Sequence, residues 1–187
     1  MTPLYEAALE IQHFCRDREW QFCIIGGLAV ARWGTPRATL DVDVSLLTGL
    51  GNESFVIDQL LSQFSPREPG VAEFAMESRV LLVNAANGIP IDIALAAFPF
   101  EEQVIRRASE FQFSPDAFLQ TASAEDLVVL KAFSGRDQDW FDVRGIAARQ
   151  NDRLDWEYTV ENLRMLCEMN EDLSPLDRLE EIRKQST

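Results

Sequence analysis

The residues best suited to chemistry are Asp41 and Asp43, in Asp41-Val42-Asp43-Val44, and Asp92, in Pro90-Ile91-Asp92-Ile93-Ala94-Leu95. Side chains alternate along a strand, so Asp41 and Asp43 point to one face while Val42 and Val44 point to the other. Their Cα atoms then lie ~6–7 Å apart at ~3.3 Å rise per residue, a spacing that suits one or two hard cations held between carboxylates. The same alternation arises in any half-exposed strand with an acidic outer face. Asp92 interrupts an otherwise apolar strand, where a lone charge is costly to bury and needs a partner, a metal or water. If that strand lies beside the one holding Asp41 and Asp43, three carboxylates converge, an arrangement tolerated mainly around a cation.

A second candidate is Gly26-Gly27. It ends a short apolar strand over 21–25 and opens a helical stretch from Leu28 to Trp33. Glycines there let backbone N–H groups approach an anion, and the helix N-terminus adds favourable potential; a plain tight turn is the alternative. Lys131 and Lys184 are the only lysines, and Lys131 lies well inside the chain, followed by Arg136, Asp139 and Asp142. Read alone, Lys131 and Arg136 are helix-surface cations near a C-terminus, and Asp139 and Asp142, three apart on one helix face, form a salt-bridge set. His13 is the only histidine and cannot form a histidine-based metal site by itself, so chemistry must rest on carboxylates. Cys15, Cys23 and Cys167 are odd in number and far apart with no C-x-x-C, which predicts reduced, buried thiols.

The elements that must position these residues follow from periodicity. Leu4, Ala7, Ala8, Ile11, Phe14 and Cys15 mark one face of a helix starting at Pro3. A strand is predicted over 40–47, then a helix over 54–64, broken by Ser65-Pro66-Arg67-Glu68-Pro69-Gly70. Two apolar runs, 79–85 and 89–96, flank Asn87-Gly88 and predict a hairpin. From residue 99 the pattern is mostly helical: 101–109, a helix capped by Ser123 with Asp126 running to Phe133, another carrying Asp139 and Asp142 to Gln150, then 156–169 and 176–184. The expected fold is α+β, with a small mixed sheet flanked by helices. Residues 1–98 would form the core bearing the three aspartates, and 99–187 a helical region closing one side of a cleft.

The 187 residues are 47% hydrophobic and 26% charged, enough for a real core. Seventeen basic residues against 31 acidic ones give a net charge of −14, which opposes a broad footprint on duplex DNA. No basic-then-apolar leader and no run of ~18 apolar residues occurs, so the expectation is a cytoplasmic protein without membrane contact.

Gly26, Gly27, Asp41, Asp43 and the later strand-borne Asp92 together resemble the pattern of nucleotidyltransferases that share the DNA polymerase beta type of catalytic fold. Arg37-x-Thr39-x-Asp41-x-Asp43, taken with Lys131-Ala-Phe-Ser-Gly-Arg136-Asp-Gln-Asp139-Trp-Phe-Asp142, is similar to the AbiEii-type members, known chiefly as toxin components of toxin–antitoxin systems. The resemblance covers roughly residues 20–150. It implies transfer of a nucleoside monophosphate from a nucleoside triphosphate to a hydroxyl. Asp41, Asp43 and Asp92 would be metal ligands, with Asp92 alternatively the base. Mg²⁺ would occupy a two-metal site, with Mn²⁺ as substitute. Gly26, Gly27, Arg37 and Thr39 would face the nucleotide, and Lys131, Arg136, Asp139 and Asp142 would line the triphosphate wall. An AbiEii-type role implies an RNA end as acceptor and an antitoxin partner. The acidic surface and small size also admit a small acceptor such as an aminoglycoside. A third class is a non-catalytic nucleotide- or partner-binding module.

Overall fold

The computed structural model describes residues 1–186. Helix α1 (Pro3–Asp17) leads into β1 (Phe22–Ile24), α2 (Gly26–Trp33), β2 (Val42–Leu47), α3 (Glu53–Leu61), β3 (Ser65–Pro66), α4 (Val71–Ser78), β4 (Val80–Asn84) and β5 (Pro90–Ala96). Then follow α5 (Pro99–Arg106), β6 (Ser109–Ser114), β7 (Ala117–Thr121), α6 (Ala124–Ser134), α7 (Asp137–Gln150), α8 (Trp156–Met169) and α9 (Ser174–Ser186). The fold is α+β: the described strands form a mixed seven-stranded sheet of order β3-β4-β5-β2-β1-β7-β6, flanked by helices. The chain divides into two compact units. One joins Met1–Leu28 to Ala38–Ala122 and contains the sheet; the other joins Ala29–Arg37 to the chain from Ser123 onward.

In the first unit, helix α1 starts where Thr2 caps it, its hydroxyl accepting from the Tyr5 N–H at 3.3 Å, with Pro3 in the first turn. Its Ala7, Ala8, Ile11, Phe14 and Cys15 are buried, matching the predicted face. They join Val56, Ile57 and Leu60 of α3, Val71 and Ala75 of α4, and one face of the central strands: Val42, Val44 and Leu46, Leu81 and Val83, Ile91, Ile93 and Leu95. Each fully buried aliphatic side chain contributes about 1.5–3 kcal/mol, which makes the choice of sheet face decisive. The opposite face of β2, β4 and β5 carries the half-buried Asp43, Leu82 and Asp92.

The hairpin at Asn87-Gly88 forms, with a difference in its turn. The Gly88 N–H donates to the Ala85 carbonyl at 2.9 Å, and Ala85 N–H donates to Ile89 O at 2.9 Å, so the loop is the three residues 86–88 rather than a two-residue turn. Only Gly88 adopts positive φ, at +82°, which is the left-handed residue such a loop requires. The strand predicted from Leu40 begins at Val42, and α4 fills residues the sequence pattern left unassigned. The larger correction lies beyond residue 99. Helix α5 ends at Arg106, and 109–121 forms an antiparallel hairpin that extends the sheet, so the helical region starts at Ser123 instead. β6 is exposed over most of its length, which leaves little apolar alternation for a pattern reading to detect.

In the second unit, Ser123 caps α6 as expected, accepting from the Asp126 N–H at 3.1 Å. The core of this unit includes Leu127, Val128, Trp140, Val143, Ile146, Leu163 and Leu179. Arg178 of α9 stacks its guanidinium 4.6 Å over the Trp140 ring. All three cysteines are buried, and burial pushes the Cys15 thiol up to about 12, so it stays protonated. No helix among the described residues is long and apolar enough to cross a membrane.

Gln12, 1% exposed, ties α1 to the sheet by accepting from the Gln120 N–H at 2.9 Å and donating to the Phe118 carbonyl at 2.7 Å. Gln12→Ala leaves both β7 backbone groups without that partner. The expected loss is about 1–3 kcal/mol in denaturant unfolding, with faster hydrogen exchange at the Gln120 amide.

Candidate functional site

Strands β2 and β5 pair in parallel with Asp43 directly opposite Asp92. The neighbouring pairs Val42–Ile91 and Val44–Ile93 sit in the core, so Asp43 and Asp92 must both point to the open face. Asp41 precedes β2 by one residue and falls on the same side. One carboxylate oxygen from each of Asp41, Asp43 and Asp92 lies within 4.8 Å of the other two, and all three residues are half-buried. The convergence expected from sequence is therefore present. Three oxygen ligands of this hardness fit Mg²⁺ or Mn²⁺ rather than a thiophilic metal.

Two neighbours shape this cluster. The Thr39 hydroxyl donates to Asp41 Oδ1 at 2.9 Å, fixing that carboxylate. Gly26, the first residue of α2, has φ +59°, and a Cβ there would lie 1.7 Å from Asp43 Oδ2. A Cβ on Gly27 would lie 2.4 Å from the Thr39 hydroxyl oxygen. The two glycines thus bring the N-terminal end of α2 against Asp43 and Thr39 with no side chain between. The feature that prepares an anion site and the feature that prepares a cation site meet at one place.

One charged residue here was not anticipated. Arg67, in the segment read only as a breaker, makes an ion pair with Asp92, with about a third of each side chain exposed. No local signal marks Arg67, because its position opposite Asp92 arises from pairing of strands distant in sequence.

The remaining predicted residues gather separately, in the second unit. Lys131 Nζ lies 2.7 Å from Asp139 Oδ1 and 3.1 Å from Asp142 Oδ2. Arg136 Nε donates to Asp139 Oδ2 at 2.6 Å. Arg37 grips Asp142 with both forks, Nε to Oδ1 at 2.9 Å and Nη2 to Oδ2 at 3.1 Å. The loop carrying Arg37 is held to α7, since Arg149 donates to the Gly34 carbonyl at 2.8 Å and Gln150 to the Trp33 carbonyl at 2.7 Å. Asp139 and Asp142 are each 1% exposed and Lys131 is 7% exposed, so this is a buried network. Among the described residues, Lys131, Arg136 and Arg37 pair with these two carboxylates. Burial opposes ionisation of Asp139, yet the hydrogen bonds from Arg136 and Lys131 outweigh it and hold its carboxyl below the usual range.

No known family model matches this sequence, and no curated protein matches it. Among solved structures, the chain is similar to an antigenic nucleotidyltransferase-like protein from Paracoccidioides brasiliensis, at 17% identity over 93% of this chain and 90% of that one, TM-score 0.49. It is also similar to the lincosamide antibiotic adenylyltransferase LnuA, solved with lincomycin bound, at 14% identity over 75% and 94% of the two chains, TM-score 0.49. A third is ANT(2″)-Ia, solved with adenylyl-2″-tobramycin, at 12% identity over 98% of each chain, TM-score 0.46. These are likenesses of chain path, and what the site can do follows from its own geometry.

Two substitutions probe that geometry. Gly26→Ala forces a methyl into Asp43 at a left-handed backbone, so unfolding free energy should drop by about 1–3 kcal/mol in chemical denaturation. Lys131→Met removes the ammonium that Asp139 and Asp142 share, and about 3 kcal/mol should be lost. The depressed Asp139 pKa also sets a pH window: its contribution is full above the ordinary Asp value of about 3.9 and disappears as pH falls through the lower folded value. Asp139→Asn should therefore flatten the acid limb of the stability profile below about pH 4.

Proposed function

We propose that this chain is a metal-dependent nucleotidyltransferase, moving a nucleoside monophosphate from a nucleoside triphosphate to a hydroxyl acceptor. The observation that carries this reading is the pairing of Asp43 with Asp92, with Gly26 closed against Asp43. A cluster of carboxylates suited to a divalent ion and the N–H groups that open α2 then serve one substrate, a metal-bound triphosphate. When bound, Mg²⁺ or Mn²⁺ supplies charge neutralisation and Lewis acidity at phosphorus. Asp41 and Asp43 hold the metal, and Thr39 keeps Asp41 in place. Asp92 either completes the ligand set or accepts the proton of the attacking hydroxyl. In the second unit, the Arg136 side chain is 74% exposed while its guanidinium pairs with the buried Asp139.

For the acceptor we favour a small hydroxylated molecule. Recognition of RNA needs a basic surface on a chain of net charge −14, and three of the arginines that could supply one are bonded within the protein. Arg37 is forked onto Asp142, Arg136 is paired with Asp139, and Arg149 is bonded to the Gly34 carbonyl. Arg144 and Arg153, both exposed, are a sparse footprint for a polynucleotide. An AbiEii-type RNA end, with an antitoxin partner, is the reading this argument competes with.

The test uses each α-labelled nucleoside triphosphate with Mg²⁺ and either total RNA or a metabolite extract. Label should move into small products, and Asp43→Asn should lower transfer by at least about 100-fold. Label in RNA, with a steep salt dependence, would favour the polynucleotide acceptor. Saturating Mg²⁺-nucleotide at ~100 times its dissociation constant should stabilise the wild type by roughly 2.7 kcal/mol. An equal thermal shift in Asp43→Asn would place the nucleotide elsewhere and overturn the proposal.

A further inference from the structure

Arg67 sits at the end of a row of register partners that crosses four strands. β3 pairs with β4 through Ser65–Asn84 and Pro66–Val83, and the Arg67 N–H continues the ladder by donating to the Leu82 carbonyl at 3.1 Å. Leu82 is opposite Asp92 on β5, and Asp92 is opposite Asp43 on β2. Residues in one such row share a face of the sheet, so Arg67 and the aspartates stand on the same side. Two strand spacings of ~4.8 Å separate Arg67 from Asp92 at the backbone, a span an extended arginine covers, and its guanidinium reaches the Asp92 carboxylate. β3 is a two-residue edge strand containing a proline, so its main structural effect is to end the sheet and to place Arg67.

We infer that Arg67 is the resident cation of the aspartate cluster, a positioning residue that occupies Asp92 before a metal arrives and sets how tightly the metal is held. The inference rests on the metal-site reading above. Three carboxylates within 4.8 Å repel one another, and one guanidinium offsets part of that charge. The pair is about one-third exposed, so it exchanges with solvent and yields to a stronger partner. A divalent ion approaching the cluster must displace Arg67 from Asp92 or share the carboxylate with it, and meets its positive charge in either case. Tight, permanent occupation by free metal is thereby disfavoured, and the site favours a cation that arrives with a triphosphate, whose negative charge receives the displaced guanidinium.

The test is Mn²⁺ binding to the full chain, followed by electron paramagnetic resonance of the free ion, for the wild type, R67Q, R67M, R67K and D43N. Removing the competing charge in R67Q and R67M should tighten Mn²⁺ binding about three- to tenfold, from the size of exposed ion-pair and through-water Coulomb terms. R67K, which keeps the charge, should stay within about twofold of the wild type. Circular dichroism confirms that each variant is folded, and the two neutral variants check one another. Unchanged or weaker Mn²⁺ binding in both neutral variants, with binding still abolished in D43N, would overturn the role of Arg67 while leaving the metal site intact. Equal Mn²⁺ binding by D43N and the wild type would instead remove the metal site itself, and this inference with it.

Discussion

The parallel pairing of β2 with β5 is the interaction on which the rest of the first unit depends. Its register sets Val42, Val44 and Leu46 beside Ile91, Ile93 and Leu95 in the core, and so sets Asp43 beside Asp92 outside it. The side-chain period of a strand is two, so a slip of one residue by either strand would turn its carboxylate into the core and expose its aliphatic row. The hydrophobic effect thus does the positioning. Burial of the apolar face is what brings two like charges together against their repulsion, and a few kcal/mol of electrostatic cost is tolerated because the buried face contributes many times that.

The two units handle carboxylates in opposite ways. In the first, Asp41, Asp43 and Asp92 are half-buried, and Arg67 pairs with Asp92 at a position about one-third exposed to solvent. In the second, Asp139 and Asp142 are almost fully buried, where an unpaired ion would be prohibitive, and Lys131, Arg136 and Arg37 pair with them. The difference follows from solvation. An exposed cluster can remain under-neutralised and wait for a cation, whereas a buried one must carry its partners with it. One arrangement is suited to exchange and the other to permanence.

Glycine performs the fine adjustment at the first cluster. Gly26 accepts a left-handed backbone and leaves room for the Asp43 carboxylate where a side chain would collide, and Gly27 does the same for Thr39. The end of β1, the start of α2 and the loop before β2 can then meet at a single point. Any larger residue at either position would separate the helix N-terminus from Asp43 or Thr39.

Much of this was legible in the sequence. The alternation of Asp41, Asp43 and Asp92 with aliphatic residues, the Gly-Gly step, the Ser123 cap and the amphipathic face of α1 are local patterns, and each appears where periodicity and capping chemistry place it. The hairpin of 109–121 was not, because an exposed strand at the edge of a sheet has no apolar period to announce it. Nor was the role of Arg67, since nothing within several residues of it indicates a partner. The burial of Lys131 with Asp139 and Asp142 shows the same boundary: spacing alone allows a surface salt-bridge set or a ligand wall, and only packing around α6 and α7 removes those groups from water. Local order is written in periods of two and 3.6 residues, which a sequence displays directly. Register between strands and the solvation of a charge depend on segments distant along the chain, and these the tertiary structure alone decides.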